Sequence, residues 1–213
     1  LKKSDKKRLN RLRDEFGKGF NYLSQIKRGV VIFGSARTKS DNPYYKSAEE
    51  LSYKLSKKKF SIITGAGKGI MEASNKGAYD ANGISVGLNI ELPAFQDKND
   101  YINRYICFKH FYTRKVMFAK YSFASVAFPG GYGTADEIFD QLAILQNKKI
   151  SERPFILFGK EYYKGLIEWI NYLRKEKTVS QRDLTLFKVT DDVDEVVDII
   201  EKEYDARKKR FFI

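Results

Sequence analysis

"FASVAFPGGYGTADEIFDQLAILQN", Phe123–Asn147, decides how the rest of the chain is read. Its opening is short and apolar, as in a buried strand. Its close places apolar residues at helical spacing. Between them stand Pro129 and the glycines Gly130, Gly131 and Gly133. A plain turn needs fewer. Glycine lets a chain turn sharply and lets a ligand approach main-chain N–H groups with no Cβ in the way. The helix that follows starts with free N–H groups and the positive end of its dipole, which favour an anion.

The same alternation runs outward in both directions. Strands are expected at "GVVIFGSA" (29–36), "FSIITGAG" (60–67), "ISVGLNIEL" (84–92), "PFILFG" (154–159) and "LTLFKV" (184–189). Helices are expected at "PYYKSAEELSYKLSKKK" (43–59), "GIMEASNKGAYDAN" (69–82), "KHFYTRKVMFAKYS" (109–122), "EYYKGLIEWINYLRKE" (161–176) and "DDVDEVVDIIEKEY" (191–204). A loop is expected from Pro93 to about Cys107. Strand and helix taking turns means a parallel sheet, because parallel neighbours need a crossover and a helix usually supplies it. The expected fold is α/β, a Rossmann-like doubly wound parallel sheet with helices on both faces. The expected division is a basic helical segment at 1–28, a Rossmann-like domain at 29–205 and a basic tail at 206–213.

Bulk composition narrows the function. The chain has 213 residues, of which 42% are hydrophobic, and is long enough for one sizeable core. No apolar run approaches the roughly 20 residues of a membrane span, and no signal-peptide pattern is visible. One cysteine, Cys107, excludes an intrachain disulfide and a cysteine zinc cluster; one histidine, His110, excludes a multi-histidine metal site. A cytoplasmic protein with no metal is expected. The formal charge of +13 is scattered rather than banded, so solvated surface explains it better than nucleic acid.

In a doubly wound sheet, ligands bind beyond the carboxyl ends of the strands. Three strands end there in small or glycine-rich turns: "GSAR" (Gly34, Ser35, Ala36, Arg37), "TGAGKG" (64–69) and "PGGYGT" (129–134). Together they describe a phosphate-bearing small molecule lying across one sheet edge. "GAGKG" lacks the serine or threonine of a P-loop. It is also shorter than a dinucleotide fingerprint and follows the second strand; Glu91 lies at a plausible distance for the ribose acid, but beside Pro93 it reads equally as a loop carboxylate. Glu137 starts a helix three residues after Thr134. That spacing is either a capping box or a carboxylate held beside a bound sugar phosphate. In the second case it orients or deprotonates water, or stabilises the cation of glycosidic cleavage. Arg114 shares a helix stripe with Phe111 and Phe118. It is either a snorkelling surface residue or a guanidinium held at a pocket wall. Lys115 points to a neighbouring rim.

"PGGYGTADE" resembles the PGGxGTxxE signature of the LOG family, whose plant members release cytokinin bases from riboside 5′-monophosphates; many bacterial relatives carry an older "lysine decarboxylase" label. "GSAR", "TGAGKGIMEASNKGA", "SVGLNIELP", "FYTRKVMFAKYS" and "DQLAILQNKKI" extend the likeness from about Gly29 to Asp198. The resemblance implies hydrolysis of a nucleoside 5′-monophosphate to free base and ribose 5-phosphate, with no redox cofactor. It implies Arg114 and Glu137 as catalytic residues, and a homodimer. It places substrate against Gly34, Ser35, Lys115, Gly130, Gly131, Tyr132, Gly133 and Thr134. Two positions depart from the pattern: Phe95 stands where many relatives have an acid, and Ala66 where many have glycine. A proton donor for the leaving base is also needed. His110 is available, although a lone histidine near an apolar face is more often structural.

Overall fold

The computed structural model describes residues 1–92 and 98–210; the Phe95 departure lies outside them. A helix α1 (Lys3–Leu23) precedes β1 (Gly29–Phe33), α2 (Pro43–Lys57), β2 (Ser61–Thr64), α3 (Ile70–Asp80) and β3 (Ser85–Ile90). Then come β4 (Arg104–Phe108), α4 (Phe111–Tyr121), β5 (Ala124–Ala127), α5 (Tyr132–Gln146), β6 (Phe155–Phe158), α6 (Lys160–Lys175), β7 (Lys188–Thr190) and α7 (Val193–Arg210).

The strands form one sheet in the order β4-β3-β2-β1-β5-β6-β7, and every pair is parallel. Period-two alternation sorts their side chains. Val30 and Ile32 of β1 enter a core covered by α2, α3 and α7. Val31 and Phe33 enter the opposite core, under α1, α4, α5 and α6. Burial on both faces is why these strands read as continuous apolar runs. Helix starts follow local chemistry: Asn42 Oδ1 accepts from Tyr44 N at 2.8 Å, with Pro43 as the first residue of α2.

Three local expectations are corrected. The stretch expected as loop to Cys107 contains β4, an edge strand whose residues alternate between exposed and covered. Half-exposed, it shows no continuous apolar run. The strand expected over 184–189 is displaced: a 3₁₀ turn occupies Arg182–Thr185, and only Lys188–Thr190 pairs with β6. The capping box is not formed. Helix α5 begins at Tyr132, its N-cap is Gly131, and no side chain caps it. Thr134 is instead buried in the first turn.

The basic helix α1 packs onto α4 and β4. Leu23 is fully buried, and Gly19 lies under Met117 so closely that a Cβ there would meet its Cε at 2.7 Å. Tyr121 Oη donates to Phe20 O at 3.1 Å. Connections leave β1 toward one sheet edge and β5 toward the other. The crevice between the carboxyl ends of these two neighbours is the topological switch point, where such sheets bind ligands.

On the α2 side, α3 approaches closely because Gly77 has no side chain; a Cβ there would sit 2.0 Å from Glu49 O. Helix propensity alone favours alanine by about 1 kcal/mol, but contact with the backbone reverses the sign. Gly77→Ala is expected to cost about 1–3 kcal/mol, read as a lower urea midpoint with an unchanged slope.

Candidate functional site

The turn after β1 and the turn after β5 are tied together: Ser35 N donates to Pro129 O at 2.9 Å. Glycine is required at the junction. A Cβ on Gly130 would stand 2.1 Å from Thr134 Oγ1 and 2.9 Å from Ser35 N. A Cβ on Gly34 would strike Ile70 at 2.5 Å. Gly131 and Gly133 differ. Among the described residues nothing lies within 4 Å of a Cβ at either, and neither has a positive φ. The protein's own packing gives no reason for glycine at these two positions.

Around the junction lies a cleft of ≈ 1110 Å³. Gly34, Ser35, Gly130, Gly131, Tyr132, Gly133, Thr134, Arg114 and Glu137, nine of the ten residues expected from the sequence, line it. Tyr132 is 97% exposed at the tip of the loop. The N–H groups of Gly130 through Thr134 donate to no protein acceptor among the described residues. The start of α5 therefore presents a run of unpartnered donors at the positive end of a 15-residue helix.

One turn further in is Glu137, only 4% exposed. Both its carboxylate oxygens are buried, with no hydrogen-bond partner among the described residues. Arg114 Nη2 lies 3.5 Å from Glu137 Oε1, an ion pair whose geometry makes no hydrogen bond. The Arg114 guanidinium sits 5.3 Å from the Phe111 ring centroid and 5.4 Å from that of Phe118. The shared stripe read from the sequence is thus a cation held between two aromatic faces at a cleft wall. Burial pushes the Glu137 carboxyl up to about 7, against the opposing pull of Arg114 and Lys115. Burial pushes Arg114 down from its ordinary value, against the attraction of Glu137.

Lys115, the tenth residue, lies outside the cleft lining. Its Nζ is 2.7 Å from Asp136 and 3.7 Å from Asp140, so it braces α4 against α5. His110 stands at the N-cap of α4, its Nδ1 2.9 Å from Glu15 Oε2 of α1, away from the cleft lining. Glu91 pairs with Lys109 at 3.6 Å and is not part of the lining. Ala66 takes a positive φ of 70°, the left-handed region that glycine enters freely. Its N–H donates to Thr64 Oγ1 at 3.0 Å. The buried Asn99 side chain donates to Gly67 O at 2.9 Å and holds the same turn.

The cleft also contains residues the sequence reading did not single out as binding residues: Tyr44, Met71 and Tyr162. Tyr162 was open to discovery by the rule used elsewhere, since it stands just beyond the carboxyl end of β6. Among the described residues, no group of three or more His, Cys, Asp or Glu is placed to hold a metal ion. No helix among them is long and apolar enough to cross a membrane.

Residues 71–200 match the family model described as possible lysine decarboxylase. The chain is 30% identical over 153 residues to an uncharacterized protein of Archaeoglobus fulgidus, covering 70% of this chain and 94% of that one. It is 28% identical to a cytokinin riboside 5′-monophosphate phosphoribohydrolase of Arabidopsis thaliana, covering 70% of this chain and 65% of the relative. It is 27% identical to a pyrimidine/purine nucleotide 5′-monophosphate nucleosidase of Escherichia coli, covering 70% of this chain and 36% of the relative. Solved structures share the fold. A molybdenum cofactor carrier protein of Chlamydomonas reinhardtii superposes with a TM-score of 0.60 at 23% identity, over 83% of this chain and 97% of that one. The molybdenum cofactor binding protein of Rippkaea orientalis gives 0.62 at 16% identity, over 84% and 99%. With its glycine signature at the head of α5 and a matching model over 71–200, this chain belongs to the LOG family, the group also described as possible lysine decarboxylases.

Proposed function

We propose that the cleft hydrolyses the N-glycosidic bond of a nucleoside 5′-monophosphate, giving free base and ribose 5-phosphate. The observation that carries this reading is the position of Glu137. Among the described residues, a buried carboxylate with no hydrogen-bond partner lies one turn inside a helix whose first N–H groups are all free. The free amides suit the 5′-phosphate, and the carboxylate suits the positive charge that develops on the ribose ring. A negative group favours that charge over the neutral ground state, and only such differential stabilisation speeds the reaction. Water gives its oxygen to the anomeric carbon as the C–N bond breaks, and one of its protons goes to the base. A carboxyl titrating near neutrality is suited to take that proton and pass it on. Arg114 holds Glu137 in place, and the phosphate fixes the nucleotide's orientation. The reading includes a homodimer, with exposed Phe111, Tyr112 and Val116 of α4 available to a second copy.

Glu137→Gln is expected to lower kcat for adenine release from AMP by about 10²–10⁴, measured by chromatography. Unchanged turnover removes Glu137 from the mechanism. Tight AMP binding with no base release by the parent protein makes the cleft a binding module instead. The reaction needs the ionised carboxylate, so kcat/KM of the parent should climb with pH to about 7 and level off above it.

The same residue makes a stability prediction of opposite sense. A carboxyl whose folded pKa is raised from 4.5 to about 7 stabilises the fold fully only below about pH 4.5, and that contribution is lost as pH rises through 7. Glu137→Gln should therefore exceed the parent in stability by a margin that grows between these pH values and then stays level, at about 3 kcal/mol. Thermal melts across the pH range measure it.

Gly133 separates ligand from packing. Alanine there suits helix α5 by up to about 1 kcal/mol, and a Cβ would meet no protein atom within 4 Å. Gly133→Ala is expected to keep or raise the melting temperature while weakening AMP binding at least about tenfold, the cost of a Cβ in a space the ligand occupies. Unaltered affinity by calorimetry would place the nucleotide elsewhere.

A further inference from the structure

Three consecutive carbonyls of the glycine loop are each held by a different donor. Phe128 O accepts from Tyr163 Oη at 2.8 Å, Pro129 O from Ser35 N at 2.9 Å, and Gly130 O from Tyr162 Oη at 2.6 Å. Two adjacent tyrosines at the start of α6 thus reach back to the loop that opens α5. Their rings meet edge to face, 5.1 Å apart. Tyr163 is buried, whereas Tyr162 is half exposed and lines the cleft.

The last of these three bonds has a consequence for ligand binding. No peptide bond among the described residues is cis, so each carbonyl points opposite to the N–H of the next residue. Holding Gly130 O therefore holds the Gly131 N–H, one of the unpartnered donors at the head of α5. This peptide joins two glycines, and glycine backbones rotate with little steric penalty. A flip about it would replace an N–H with carbonyl lone pairs, which repel an anion. Pro129 shows the contrast. It has no N–H, so the bond from Tyr163 to the carbonyl before it aims no donor at anything.

We propose that Tyr162 is a positioning residue for phosphate recognition, locking the Gly130–Gly131 peptide in the orientation that offers its N–H to the anion. The inference rests on the nucleotide reading of the cleft, but its test uses binding, so the two can fail separately. Tyr162→Phe removes the hydroxyl from a half-exposed ring and leaves the core alone. Calorimetry with ribose 5-phosphate is expected to show affinity about 3- to 10-fold weaker than the parent's, the size of one lost hydrogen bond. Adenosine, which has no phosphate, should bind as before, and the melting temperature should hold. In turnover, KM for AMP should rise with kcat kept. Tyr163→Phe is the control: it should lower the melting temperature and leave the ratio of the two affinities unchanged. An unchanged ribose 5-phosphate affinity in Tyr162→Phe overturns the proposal. So does an equal loss for adenosine, or an equal effect from Tyr163→Phe. A parent that binds ribose 5-phosphate but releases no base overturns only the catalytic reading. A parent that binds none of these ligands overturns both.

Discussion

A carboxylate and a guanidinium lie 3.5 Å apart in a place where water reaches neither well. Taking both groups out of water is costly, and their mutual attraction offsets only part of that cost. The surroundings show how the arrangement is tolerated. Two phenylalanine faces flank the cation, and the carboxyl becomes reluctant to ionise. Neither group has the full set of hydrogen bonds that a structural ion pair would have: Arg114 Nε and both Glu137 oxygens are unpartnered. Buried polar groups left in this state are uncommon, and they concentrate where a ligand completes them.

The neighbouring loop repeats that incompleteness in its backbone. Among the described residues, the amides at the head of α5 lack acceptors, while the carbonyls just before them are all engaged. Donors are thus left over on the cleft side and acceptors are used up. A neutral ligand has little use for such a surface, and an anion has a great deal. Gly131 and Gly133, which the protein's packing does not require, lie in this same stretch. The sheet brings the two halves of the site together. β1 and β5 are neighbours whose connections depart in opposite directions, so the turns after them face each other across a gap.

Much of this was legible in the chain. Six of the seven described strands were expected, five of them in place because strands buried on both faces must be apolar throughout, and the short edge strand β7 a few residues too early. The seventh, β4, sits at the edge, where exposed Tyr105 and half-exposed Arg104 break the pattern. The Thr134–Glu137 spacing fitted a cap, but the helix starts two residues earlier and buries both side chains. Arg114 was placed on its aromatic stripe by helical periodicity alone. The family resemblance named Glu137 beside it, but nothing in the linear spacing joined the two.

The order of residues along the chain determined which elements form and which turns are built of glycine, because these depend on neighbours within a few positions. It also determined the family, through the signature in the turn that opens α5 and the matching stretches along the chain. Only the tertiary structure decided which groups meet. Arg114 and Glu137 reach each other because α4 and α5 pack side by side on one face of the sheet. Lys115, next in sequence to Arg114, turns to Asp136 instead. Tyr162 reaches Gly130 because β6 lies beside β5. Contacts of this kind depend on distance in space, and strand order sets that distance where sequence separation does not.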